Sequence, residues 1–237
     1  MDELLHPIKN INSIIVANER DNVNMNFDLF LKSVPKIIKR PLPGSQSHYK
    51  MAPLMRLKEL NSIEIDKMNP RKAAVLMLCY PDLKKKTRFV LIQRKSYPGV
   101  HSNQIALPGG KVEKEDQDLM HTALRETYEE VGVRERNVAI IRSLTEVYIP
   151  PSNFLVAPFV GYTESYPDFK AQPEEVAKII EVPVEEFLDD GVVFTQKLTT
   201  SYAKNIEVPA FKLRGYTVWG ATAMMLSEAK ELFKTAI

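Results

Sequence analysis

The sequence predicts an α+β domain in which a mixed β-sheet is sandwiched between helices, with a helical extension at the N-terminal end. Three observations carry this. Helix-like and strand-like segments follow one another as helix, several strands, helix, several strands, helix. Apolar residues recur at helical spacing near both ends, whereas from Arg71 onward the pattern turns to strands. The 237 residues are 44% hydrophobic, enough for one large core, yet no apolar stretch approaches the roughly 20 residues that span a bilayer.

The elements follow in order. Residues 1–25 are mixed and rich in Asn, and are expected to be irregular or loosely helical. Phe27, Phe30, Leu31, Val34, Ile37 and Ile38 mark a helix that Pro35 should kink or begin. Pro41-Leu42-Pro43-Gly44-Ser45 is a turn-rich connection. Residues 1–65 are thus expected to form an extension packed on a main domain over 66–237. Lys72–Tyr80 and Arg88–Arg94 form a hairpin whose tip, Lys84-Lys85-Lys86, is a solvated loop. A helix is expected from Gln117 to Gly132. Strands are expected over Val138–Tyr148, Phe154–Thr163, Val176–Val184 and roughly Ile206–Leu213. An amphipathic helix closes the chain from about Ala221, with Leu226, Ala229, Leu232 and Phe233 on one face.

Charge and cysteine content narrow the function classes. The 32 basic and 30 acidic residues leave a net charge of +2, which offers no electrostatic attraction for nucleic acid or a membrane surface. The single cysteine, Cys79, sits in the apolar run Ala73–Cys79 and is read as a buried thiol. Met1-Asp2-Glu3-Leu4-Leu5-His6 carries acids where a signal peptide carries bases, so a cytoplasmic location is expected.

Chemistry concentrates in Pro108-Gly109-Gly110-Lys111-Val112-Glu113-Lys114-Glu115-Asp116 and Ala123-Leu124-Arg125-Glu126-Thr127-Tyr128-Glu129-Glu130-Val131-Gly132-Val133. The two glycines break regular structure and let backbone approach a ligand or metal closely. On the helix that follows, Glu126, Glu129 and Glu130 share one stripe at i, i+3 and i+4. Met120, Ala123, Leu124, Thr127 and Val131 lie on another face. Like charges so placed repel, and a hard cation with oxygen ligands would relieve them. Such an ion would bridge to a substrate phosphate and lower the pKa of a bound water.

This spacing resembles the Nudix box, Gly-x5-Glu-x7-Arg-Glu-(apolar)-x-Glu-Glu-x-Gly-(apolar). Arg125 to Val133 match it, with Thr127 in an apolar slot; the first half carries one extra residue, which puts Asp116 in the first acidic slot. The resemblance implies a Nudix fold and a diphosphate-cleaving enzyme dependent on Mg²⁺ or Mn²⁺. It implies that Glu126, Glu129 and Glu130 are metal ligands, directly or through water, and that Gly110 or Gly109 brings a carbonyl near the ion. Arg125 would brace the loop or the glutamates, and Asp116 would support the loop.

Within the family the chain is similar to coenzyme A pyrophosphatases. Thr122-Ala123-Leu124-Arg125-Glu126, Val156-Ala157-Pro158-Phe159-Val160-Gly161, Pro173-Glu174-Glu175-Val176-Ala177 and Gly215–Ala223 carry that likeness. The upstream signature Leu-Leu-Thr-x-Arg-Ser-x3-Arg-x3-Gly-x3-Phe-Pro-Gly-Gly is met at Arg94. Lys95 stands in its serine slot, Gly99 in its second arginine slot, Asn103 in its glycine slot and Leu107 in its phenylalanine slot. Arg94 is therefore the expected phosphate contact, with Lys95 or Lys111 as point charges in place of the missing arginine, and His101 touching substrate. The water-activating base is Glu126, Glu175 or Glu174. Tyr216 and Trp219 are read as core residues. The implied partner is a small nucleotide: coenzyme A or a derivative, or else ADP-ribose or a dinucleotide. A non-catalytic nucleotide-binding module is the other class, but such modules often lose box glutamates and all three are present. A homodimer is the expectation for assembly.

Overall fold

The computed structural model describes residues 25–95, 104–198 and 205–237, and for residues 58–61 the backbone alone. Its centre is a mixed sheet. β1 (Arg71–Pro81) and β2 (Thr87–Arg94) form the expected antiparallel hairpin, and Leu83–Lys86 at its tip are exposed. β7 (Phe154–Tyr162) runs parallel to β1, with Arg71 opposite Phe154. β8 (Val176–Pro183) lies antiparallel on the other edge of β2. β1 and β2 pair only near their turn, and two short strands occupy the rest of the interval. β3 (Ile105–Ala106) pairs with β2 and β4 (Gly109–Lys111) pairs with β1.

The expected strand over Val138–Tyr148 is two strands, β5 (Ala139–Ser143) and β6 (Val147–Ile149), both antiparallel to β7. The interruption has a cause in hydrogen bonding. Leu144 N–H still donates to Pro158 O of β7 at 2.8 Å, but Thr145 N–H turns to the Glu228 carboxylate at 2.9 Å. That donor is satisfied off the ladder, so the strand stops there.

Helices cover both faces. Alternate residues of β1 point to opposite sides. Ala74, Leu76, Leu78 and Tyr80 meet Ala123 and Val131 of α4 (Leu119–Val131), whereas Met77 and Cys79 meet the opposite layer. This accounts for the unbroken apolar run of β1, which is buried on both faces. The opposite layer contains α1 (Phe27–Lys39), α2 (Ser45–Tyr49), α5 (Val184–Leu188) and α6 (Gly220–Ala236), and α3 (Leu54–Ser62) follows α2 in the chain. Pro35 lies well inside α1 rather than in its first turn; the rung it would donate to Leu31 is simply missing. The turn of α1 into α2 is held by Arg142 Nη1, which donates to Ile37 O at 2.8 Å and Arg40 O at 2.7 Å.

Two further differences concern the C-terminal third. α6 is buried nearly all round, Thr222 through Lys230 without interruption, rather than along one face. A separate three-stranded antiparallel sheet, β9 (Val193–Leu198), β10 (Ile206–Leu213) and β11 (Tyr216–Trp219), contributes Phe211, Leu213 and Val218 to the same layer. Only β10 is foreseeable from pattern: β9 alternates exposed and half-buried residues, and β11 has four residues. Among the described residues no helix is long and apolar enough to cross a membrane.

Burying α6 places the Glu228 side chain out of solvent. Its carboxylate accepts four bonds, from Gly44 N–H, His48 Nε2, Thr145 N–H and the Thr145 hydroxyl, at 2.7 to 3.2 Å. It thereby joins α2, the β5–β6 connection and α6. Burial alone would raise its pKa, but the bonds from His48 and Thr145 outweigh that and lower it below the ordinary 4.5. A lowered folded pKa contributes stability above about pH 4.5, lost as pH falls through the folded value. Glu228→Gln is therefore expected to lower the melting temperature at pH 7. The gap from the parent chain should close below about pH 4.5, as thermal unfolding across pH would read.

Candidate active site

The candidate site forms where β4, β2 and α4 meet. α4 starts at an Asp118 N-cap, whose side chain accepts from His121 N–H at 2.7 Å. It stops at Gly132, which adopts φ 80° as the left-handed terminator. Of its expected apolar face, Ala123, Thr127 and Val131 are buried, but Met120 is 39% exposed.

Gly109 and Gly110 do not interrupt structure as the sequence suggests; they are strand β4, with Gly110 opposite Ala74. The predicted close approach is nonetheless real. Gly109 has φ 150°, and a Cβ there would sit 2.5 Å from Val75 Cα. A Cβ on Gly110 would run into the Glu126 carboxylate, 2.6 Å from its Oε2. The missing side chains are what let β4 lie on β1 and Glu126 lie on β4.

The three glutamates occupy different environments. Glu126 and Glu130 are buried, whereas the Glu129 side chain is 51% exposed. Glu130 Oε2 accepts Gly109 N–H at 2.8 Å, and Oε1 lies 3.1 Å from Arg94 Nη1. Burial pushes Glu130 up to about 7, against the pull of Arg94 and Gly109. Glu126 is raised by burial too, with Arg125 opposing it and Glu129 and Glu175 adding repulsion. Two desolvated carboxylates, with Glu126 and Glu175 both raising Glu130, are a donor set short of positive charge. Oxygen ligands of this kind fit a hard divalent cation. Among the described residues no three such groups converge tightly enough to hold an ion as they stand, so Glu129 would have to turn inward to join Glu126 and Glu130.

Arg125 ties the site together. Its Nε and Nη2 grip Asp116 at 2.8 and 3.1 Å, Nη1 reaches Glu129 at 3.0 Å, and Nη2 also reaches Glu126 at 3.2 Å and Lys111 O at 3.1 Å. Asp116, its side chain fully buried, further accepts from Thr122 Oγ1 at 2.8 Å and Glu113 N–H at 2.9 Å. The bidentate Arg125 bond is the main reason its pKa lies well below the usual carboxylate range. The loop after β4 is therefore braced by one ion pair between Asp116 and the helix. Arg125→Met would leave Asp116 buried and uncompensated, at an expected cost of about 3 kcal/mol, visible as an earlier urea midpoint with an unchanged slope.

Arg94 stands on the opposite side. It lies 3.6 Å from Glu175 Oε2 through Nη2 while holding Glu130. The link is reinforced by Lys95 N–H donating to Glu175 O at 2.8 Å. Glu175 is thus brought to the carboxylate pair, and its charge is felt by both Glu126 and Glu130. Glu174 is exposed, as are the side chains of Lys95 and Lys111; Lys111 enters the site through its backbone carbonyl. His101, Gly99 and Asn103 lie outside the described residues. Tyr216 and Trp219 are half-buried, with Lys178 Nζ 5.3 Å from the Tyr216 ring. The pairing of Arg94 with Glu175 has no signature in spacing, since the two are 81 positions apart and meet only through the register of β2 on β8.

The chain is similar in sequence to known proteins over much of its length. The model of the NUDIX domain matches residues 68–202. The chain is similar to the uncharacterized Nudix hydrolase NudL of Pectobacterium atrosepticum, 33% identical over 67% of this chain and 80% of that protein. It is also similar to Nudix hydrolase 15, mitochondrial, of Arabidopsis thaliana, 31% identical over 69% of this chain but 59% of that protein's length. A third relative is the peroxisomal coenzyme A diphosphatase ndx-8 of Caenorhabditis elegans, 29% identical over 73% of each chain.

Proposed function

This chain belongs to the Nudix hydrolase family, and from that premise we propose that it hydrolyses the diphosphate bond of coenzyme A or its derivatives. The products would be 4′-phosphopantetheine and adenosine 3′,5′-bisphosphate. The observation that carries hydrolysis is the buried pair Glu126 and Glu130, raised by burial and by neighbouring carboxylates and set against the backbone of β4. A relative named as a coenzyme A diphosphatase supports the substrate.

Glu126, Glu130 and a turned Glu129, with the Gly110 carbonyl, would hold Mg²⁺ or Mn²⁺. When bound, the ion supplies charge stabilisation at the phosphoryl oxygens and a more acidic water. The chain's own groups do the rest. Gly109 N–H and Arg94 orient Glu130. Arg125 keeps Glu126 beneath Gly110 and the loop closed over it. Arg94 is placed to share its guanidinium with a substrate phosphate, as its planar fork suits. Glu175, 3.6 Å from Arg94 and close enough to raise both Glu126 and Glu130, is better placed than its exposed neighbour Glu174 to take the proton of the attacking water; Glu126 is the other candidate. Lys95 and Lys111 are exposed at the rim, where they would add charge in place of the arginine that Gly99 replaces.

That replacement favours one second reading, hydrolysis of another nucleoside diphosphate derivative such as ADP-ribose or a dinucleotide. A substrate panel with Mg²⁺ or Mn²⁺ separates the two: coenzyme A, acetyl-coenzyme A, ADP-ribose, NADH and diadenosine polyphosphates. Release of adenosine 3′,5′-bisphosphate from coenzyme A as the fastest reaction upholds the proposal. Faster cleavage of ADP-ribose or a dinucleotide upholds the second reading, and no turnover of any substrate turns the chain into a nucleotide-binding module.

A further inference from the structure

One cleft lies apart from the carboxylate cluster, lined by Tyr166, Pro167, Asp168, Phe169, Ile179 and Glu181. Its wall is aromatic. The ring of Tyr80 meets Phe169 at 5.1 Å and Tyr166 at 6.1 Å, and Tyr166 meets Phe169 at 6.2 Å, all edge to face. Tyr80 and Phe169 belong to the core between α4 and the sheet, whereas Tyr166 is 41% exposed at the cleft. A tyrosine so backed presents a fixed face against which a planar ring can lie.

The polar lining is one-sided. Glu181 accepts the Tyr80 hydroxyl at 3.1 Å on one oxygen and the Tyr166 hydroxyl at 3.2 Å on the other. Each carboxylate oxygen keeps a further lone pair. Asp168 adds a second carboxylate, exposed and 3.3 Å from Lys170 Nζ. Both acids offer acceptors, and both tyrosine hydroxyls are already committed to Glu181. The ligand that fits is a flat ring carrying N–H donors.

The cleft is tied to the carboxylate cluster by a single segment. Phe169 lines it, Gln172 N–H donates to Glu130 O at 3.0 Å, and Glu175 meets Arg94. On β8, Val176 stands opposite Arg94 and Ile179 opposite Ile92. Glu181, opposite Val90, lies five strand residues and roughly 17 Å from Val176, the reach of a nucleoside together with an extended diphosphate.

We propose that this cleft is a nucleobase subsite, taking an amino-bearing base such as adenine while the diphosphate lies at Glu126 and Glu130. The placement of the diphosphate rests on the function proposed above; the cleft's own chemistry does not. The probes are 5′-AMP and 5′-IMP, titrated calorimetrically against the full chain, together with steady-state kinetics on whichever adenine-bearing diphosphate it cleaves. Tyr166→Ala is expected to weaken AMP binding about tenfold and to raise KM by a similar factor, with kcat within about twofold. Tyr166→Phe, which keeps the ring, should bind AMP within about twofold of the parent. Glu181→Gln, which adds a donor, should shift the AMP-over-IMP preference toward IMP. Unchanged AMP affinity and KM in a folded Tyr166→Ala chain overturns the subsite and leaves the hydrolase reading intact. AMP binding lost in that variant, in a chain that cleaves no diphosphate, upholds the subsite and overturns the hydrolase reading.

Discussion

Glu130→Gln is expected to reduce kcat by about 10³-fold, on the scale of losing one principal electrostatic support of a phosphoryl transition state. The amide keeps an acceptor for Gly109 N–H, so β4 stays in place. What it lacks is charge, for Arg94 on one side and for a divalent cation on the other. Folded stability without added metal should change by no more than about 1 kcal/mol, because relief of a buried carboxylate offsets the weakened Arg94 bond. Metal separates the two chains further. Saturating Mg²⁺ or Mn²⁺ stabilises any state that binds it, by about 2.7 kcal/mol at one hundred times Kd. Differential scanning fluorimetry should show that rise in the parent chain and lose most of it in the variant. Full activity in Glu130→Gln would remove this carboxylate from the reaction.

The glycine pair should divide stability from activity. At Gly109 the atoms a Cβ would meet include the Val75 backbone, and φ 150° is strained for any L residue. Gly109→Ala is therefore expected to cost about 3 kcal/mol, combining backbone strain with overpacking. In a domain of this size that lowers the melting temperature by roughly 6–12 °C. At Gly110 the obstacle is the end of the flexible Glu126 side chain, which can swing away. Gly110→Ala should melt within roughly 3 °C of the parent and yet lose about 10²-fold in kcat, because the displaced group is the buried carboxylate. Equal melting temperatures for the two variants would contradict this division.

Much of this arrangement is legible before any coordinates. The helix of α4, its Gly132 stop and the hairpin of β1 and β2 follow from periodicity and turn chemistry, since each depends on residues within a few positions of one another. Arg125 as a brace, and Asp116 as a support of the loop, follow from the Nudix-like spacing. The separate fates of Glu126, Glu129 and Glu130 do not. A helical wheel places all three on one stripe, but which side chain is buried depends on β4 lying across it, and that in turn on two missing Cβ atoms. Glu228 and His48 escape pattern altogether: a carboxylate in an apolar helix reads as the solvated side of α6 until α1, α2 and the small sheet surround it. β9 and β11 fail for a different reason, one being polar on alternate positions and the other too short to show a period.

The parallel register of β1 on β7 has a consequence for how the chain reaches this state. Arg71 and Phe154 stand opposite each other although more than 80 positions separate them, and everything that forms the carboxylate cluster except Glu175 lies in the enclosed span. Closing so long a loop costs entropy before any strand contact repays it, and folds dominated by such remote pairings form slowly. α4 can coil early from local sequence alone. Glu126 and Glu130 meet the backbone of β4 only once β1 has its partners, so catalytic competence should lag behind helix formation during refolding.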